Sequence, residues 1–207
     1  MKKLMTLALA IIASGSFLTA RADSTPIDSS ATNTTNNSGN ATQNISSNPA
    51  WAAPIAGSNW VSFANTGNPS NPGFVVLPNG TNVLFSETFD LSGTITGATL
   101  YVLADDTTSI IVNGTTIFAG ALGGSYPTCS SVSIGCLTST EGVFNIAPYL
   151  VDGTNTISFD VYQEAGSSYG LDYAGTITTA PEPGVLMMLG SGLAGLGFLK
   201  RRRKSIG

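Results

Sequence analysis

From Asp23 to Leu199 the chain has no lysine, arginine or histidine. All eight basic residues lie outside this interval and all twelve acidic residues inside it, so its formal charge is −12. No side-chain salt bridge can form within it. It has no cationic surface for phosphates, which argues against nucleic-acid binding. A clustered carboxylate here is balanced only by a metal ion, by hydrogen bonds or by protonation.

The fold of this acidic stretch is written in its rhythm. Apolar and β-branched runs are short and broken by Gly, Asn, Asp and Pro, with no sustained helical period, which predicts an antiparallel sandwich or barrel. Residues 51–180 hold one domain's worth of chain. Strands are expected over Asn59 to Ala64, Asn82 to Leu91, Ala98 to Ala104, Ser109 to Phe118, Val143 to Leu150, Asn155 to Gln163 and Tyr169 to Thr178. Alternation places Leu100, Val102 and Ala104 on one face of their strand and Tyr101 and Leu103 on the other. Asn113-Gly114 between β-branched runs marks a two-residue hairpin, because both residues tolerate positive φ. With that hairpin counted as two strands there are about eight, the number of a jelly roll. Glu87 shares parity with Phe85 and Phe89, and a carboxylate on an apolar face is costly to bury: the face is expected to open to solvent at Glu87, the alternatives being that hydrogen bonds hold the carboxyl or that it is a site residue.

The two ends are of different character. Lys2 and Lys3, the apolar stretch Leu4 to Ala13 and Ala20-Arg21-Ala22 form a signal peptide over residues 1–22, for removal by signal peptidase. Residues 23–50 are rich in Ser, Thr and Asn and are expected to be a disordered leader. At the far end come Pro181-Glu182-Pro183, an uncharged run over 184–199, and Lys200-Arg201-Arg202-Arg203-Lys204. Sixteen helical residues rise about 24 Å against ~30 Å of hydrocarbon, enough for one short transmembrane helix with flanking residues in the interface. The basic end should stay cytoplasmic and the domain outside.

Pro181, Glu182 and Pro183, the apolar run, and Arg201, Arg202 and Arg203 together resemble the PEP-CTERM sorting signal of Gram-negative bacteria. The resemblance implies recognition by an exosortase, cleavage near the Pro-Glu-Pro motif, and release or attachment at the cell surface. The protein would thus be anchored in the membrane only before processing. A second resemblance covers 51–180. Ala98 to Asp106 with Val112-Asn113-Gly114, then Phe144-Asn145-Ile146 with Gly153-Thr154-Asn155, then Tyr169-Gly170-Leu171, are similar to the galactose-binding-domain-like jelly roll. That fold serves in carbohydrate-binding modules and in accessory domains of glycosidases, and it often carries a structural calcium.

Four chemistries follow from particular residues. Cys129 and Cys136 are the only cysteines, and in an oxidising exterior they are expected to form a disulfide stapling the loop around them. No His, Lys or Arg stands near to activate a thiolate. Asp105 and Asp106 end a strand, where they are either Ca²⁺ ligands or ordinary turn starters. Of the aromatic residues Trp51, Trp60, Tyr126, Tyr162, Tyr169 and Tyr173, most belong in a core, and Tyr126, beside Pro127, is the best exposed platform for a sugar ring. Hydrolysis by paired carboxylates is the one familiar catalytic mechanism the composition allows, and Glu87, Glu141 and Glu164 are too scattered to nominate a pair. The reading is therefore an exported, surface-sorted β-sandwich that binds carbohydrate or exopolysaccharide without catalysis. A structural matrix component and a glycan hydrolase are the alternatives.

Overall fold

A computed structural model describes residues 22–120, 129–131, 133–164, 166–180 and residue 190. Residues 1–21 of the signal peptide, Tyr126, the Pro-Glu-Pro motif, the expected transmembrane run apart from residue 190, and the arginine cluster lie outside these residues. Among the described residues no helix is long and apolar enough to cross a membrane.

The described residues form ten strands: β1 (Asp23–Asp28), β2 (Gln43–Asn44), β3 (Val61–Ser62), β4 (Asn82–Leu91), β5 (Thr94–Asp105), β6 (Thr107–Val112), β7 (Thr115–Phe118), β8 (Gly142–Asn145), β9 (Gly153–Tyr162) and β10 (Gly170–Ala180). All pairings are antiparallel. One sheet runs β2-β3-β10-β5-β8, with β1 also paired to β10, and the other runs β4-β9-β6-β7. The two pack face to face as a jelly-roll sandwich.

Alternation along the strands decides which side chains meet between the sheets. Leu100, Val102, Leu171, Tyr173 and Ile177 of the larger sheet face Phe85, Ile110, Ile157, Phe159 and Val161 of the smaller, all buried in one cluster. Phe159 and Tyr173 stack across the gap with ring centroids 4.4 Å apart. The β6–β7 hairpin turns on Asn113 and Gly114 at φ of 49° and 79°, as the dipeptide predicts. The Asn113 side chain also accepts from the Thr156 N–H at 2.9 Å, tying the turn to β9.

Residues 23–50 are not a disordered leader. Asp23–Asp28 pairs with β10 along its whole length, Thr35 bridges Ser86, and Gln43–Asn44 pairs with β3. The composition misleads because this segment is held mainly by polar side chains. Only Ile27 enters the main core. Ser29, Thr34 and Thr42 are buried, and each has partners. Ser29 Oγ donates to the Asn59 carbonyl at 2.7 Å, Thr34 Oγ1 lies 3.0 Å from the Tyr173 hydroxyl, and Thr42 Oγ1 donates to the Thr34 carbonyl at 3.2 Å. Pro26 fits because β1 is a peripheral strand. Gly175 is required beneath it: a Cβ there would lie 2.8 Å from the Thr99 carbonyl oxygen and 2.9 Å from Ile27.

Glu87 is also inside rather than exposed. It is 7% accessible, and its carboxyl accepts from the Tyr173 hydroxyl at 3.0 Å and from the Asp28 backbone N–H. Burial is the main cause that raises its pKa to about 7, against the hydrogen bond from Tyr173.

Candidate functional site

The outer face of the larger sheet is covered over only part of its area. Leu103 is roofed by Trp51 and Trp60, whose ring centroids are 4.3 Å apart, and by the Cys129–Cys136 disulfide. The disulfide is formed as expected, with Cα atoms 5.3 Å apart. Its loop is sewn to the sheet by the Ala104 N–H donating to the Gly135 carbonyl at 3.0 Å and the Ala52 N–H to the Cys136 carbonyl at 2.8 Å. A side chain at position 135 would collide with the Cys129 carbonyl oxygen. Two residues back along β5 the roof ends, and Tyr101 is left 39% exposed.

Tyr101 is an open ring because its cross-strand neighbours are modest. It pairs with Ala174 on one side and with Val143, itself exposed, on the other. Around it runs a groove of about 530 Å³. One wall is the Ala53–Gly57 loop, the other side carries Thr138 and Glu141, and Pro26, Asp28 and Thr176 complete the lining. The groove thus combines an aromatic platform, apolar Pro54 and Ile55, two hydroxyls and two carboxylates. Such a mixture suits a ligand with an apolar face and many hydroxyls.

The loop wall is held from beneath by Asp172, which is fully buried. The Ile55 N–H donates to Asp172 Oδ2 at 2.8 Å, and the hydroxyls of Ser29 and Ser58 close on Oδ1. Burial raises the pKa of Asp172, with the contacts from Ser58, Ile55 and Ser29 opposing.

Asp105 and Asp106 lie elsewhere, in a separate cleft of about 290 Å³ with Trp51, Asn48, Ser130 and the disulfide. Both are 3% exposed. The Trp51 indole N–H donates to Asp105 Oδ2 at 2.8 Å, and the Glu164 N–H to Asp106 Oδ2 at 2.7 Å. Burial, then the hydrogen bond and charge of Asp106, push the Asp105 carboxyl up to about 9, with Trp51 opposing. Their oxygens and the Cys129 sulfur lie within 4.8 Å of one another, but that sulfur is in a disulfide. Calcium takes six to eight oxygen ligands. The described residues offer two carboxylates, each with an oxygen already engaged by an N–H. We infer that a proton on Asp105, rather than a calcium ion, accounts for this buried pair. Millimolar Ca²⁺ should then leave the thermal midpoint within about 1 °C of its value in chelator. A rise of several degrees, read by differential scanning fluorimetry, would restore calcium to this pair.

Of the aromatic candidates, Trp51, Trp60, Tyr169 and Tyr173 are all buried. The Tyr162 hydroxyl donates to Asp160 at 2.8 Å. Tyr101 is the residue that sequence reasoning passed over. Parity on β5 already set it opposite the core, but parity cannot tell which outward residue a neighbouring loop will cover.

Three solved structures show low similarity. Streptomyces avermitilis α-L-rhamnosidase, crystallised with L-rhamnose, is 24% identical over 65% of this chain at a TM-score of 0.41, and this chain spans 12% of that enzyme. A family 35 carbohydrate-binding module from Clostridium thermocellum is 16% identical, with 73% of this chain and 97% of the module covered, at a TM-score of 0.39. The corresponding module from Paenibacillus barcinonensis is 18% identical, with 76% and 98% covered, at 0.35. Among curated proteins none matches this chain. The tail gives the specific match: residues 179–204 fit the family described as the PEP-CTERM protein-sorting motif. The motif begins within the last two residues of β10, so no spacer separates the sandwich from it. Its C-terminal segment therefore marks this chain as the bearer of a PEP-CTERM sorting signal, joined directly to a jelly-roll domain.

Proposed function

We propose that this is an exported, surface-sorted, non-catalytic protein that binds carbohydrate in the groove over Tyr101. Signal peptidase removes residues 1–22, and an exosortase-type protease processes the tail at Pro181-Glu182-Pro183. The apolar run holds the protein in the membrane until then. The observation that carries the binding reading is the half-open Tyr101 ring on a sheet face, walled by Pro54 and Ile55 and rimmed by Thr138, Thr176 and carboxylates. A sugar ring laid on Tyr101 buries its C–H face while its hydroxyls meet the rim. The hydrolase alternative loses Glu87, which is enclosed between the sheets.

Retention on immobilised polysaccharides tests this reading, with the host's own exopolysaccharide among them. Tyr101→Ala is expected to weaken binding about tenfold or more, the worth of one aromatic platform. Because Tyr101 is outside both buried clusters, its loss should leave the melting curve nearly unchanged. Undiminished retention by the variant, or no retention of the parent on any glycan, would defeat the proposal.

A further inference from the structure

The groove over Tyr101 has a charge character that narrows its ligand. Glu141 and Asp28 both line it and neither is fully buried. Asp28 accepts from Asn33 Nδ2 at 3.2 Å, and Glu141 has no hydrogen-bond partner among the described residues. No lysine, arginine or histidine occurs anywhere between residues 23 and 199 to balance them. An ionised carboxylate only accepts hydrogen bonds, and an ammonium group only donates them.

We propose that this groove selects glycans bearing free amino groups, that is, chains with unacetylated amino sugars, over neutral and anionic ones. The inference rests on the carbohydrate reading of the groove. The ammonium of a 2-amino sugar stacked on Tyr101 supplies the cation that residues 23–199 lack, and Glu141, which lines the same groove, is an open acceptor for it. Uronate, sulfate or phosphate groups would enter a groove with two carboxylates and no basic side chain, on a domain of formal charge −11 over residues 23–180. Like charges there cost both encounter rate and affinity.

The test is calorimetry on the full chain in detergent with three probes: a glucosamine oligomer, its N-acetylated counterpart of equal length, and an oligogalacturonate. At low salt the glucosamine oligomer is expected to bind about tenfold tighter than the acetylated one, the sum of two exposed charge pairs. Molar salt should largely erase that ratio, and the oligogalacturonate should show no binding. Glu141→Gln should reduce the ratio at least about threefold. A ratio does not depend on how much of the variant is folded. Equal affinities for the two amino-sugar oligomers, or tighter binding of the oligogalacturonate, would overturn the selection while leaving Tyr101 as a carbohydrate platform. Failure of all three probes and of every neutral polysaccharide would remove the groove reading and this inference together.

Discussion

Raising the pH from 5 to 9 should lower the thermal midpoint by about 5–15 °C, the reverse of what a protein stabilised by ion-paired carboxylates does. Three buried acids set the direction. Glu87 is raised to about 7 and Asp105 to about 9, from ordinary values of 4.5 and 3.8, and Asp172 is raised as well. Between its ordinary and its folded value, each group binds a proton in the native state that the unfolded chain has released. The resulting stability is fully present below about pH 4. It is lost as the pH rises through about 7 for Glu87 and about 9 for Asp105. Mutual repulsion among the carboxylates, with no cation between residues 23 and 199, acts in the same direction. A total of about 2–4 kcal/mol is expected across this range, and in a domain of this size each kcal/mol moves the midpoint ~2–4 °C. Calorimetric melts at pH 5, 7 and 9 check the slope. Asp105→Asn imitates the protonated carboxyl and keeps an acceptor for the Trp51 indole, so it should flatten the curve above pH 7. A midpoint that is constant or rises toward pH 9 would show that these carboxyls are ionised in the fold.

Asp172→Ala is expected to cost about 3 kcal/mol, or ~6–12 °C in thermal midpoint. The carboxyl accepts from the Ile55 N–H and engages the hydroxyls of Ser29 and Ser58, joining β10 to the segment after β1 and to the Ala53–Gly57 loop. Removing it strands the Ile55 N–H and opens a small cavity under the wall of the groove. Glycan affinity should therefore fall together with stability, although Asp172 is fully buried and touches no ligand. Asp172→Asn retains one acceptor oxygen and should recover more than half of the loss. Thermal melts paired with glycan retention at a temperature where both variants are folded separate the two effects. If Asp172→Ala binds glycan as the parent does, the loop wall plays no part in recognition.

How far the sequence reaches is clearest on particular strands. The alternation over Asn82 to Leu91 coincides with β4, and Asn113-Gly114 forms the turn it predicts. Leu100, Val102 and Ala104 face the core as parity required. These signals are local, carried by spacing and by the backbone preferences of single residues. The failures all depend on distant partners. Residues 23–28 form a strand because β10 lies beside them, some 150 residues away in the chain. Glu87 is tolerated inside because the Tyr173 hydroxyl, 86 residues on, reaches it. Tyr101 becomes a platform because Trp51 and Trp60 cover Leu103 and stop short of it. The contacts of Asp105 with Trp51 and of Asp106 with the Glu164 N–H likewise join residues 54 and 58 positions apart.

The most direct measurement is a chemical-shift map of the ¹⁵N-labelled protein titrated with a glucosamine oligomer. The largest perturbations are expected at Tyr101, Ile55, Glu141 and Thr176, which share the groove on the outer face of the larger sheet, and Tyr101→Ala should abolish them. Perturbations centred instead on Trp51 and Asp105 would contradict the assignment of recognition to this groove.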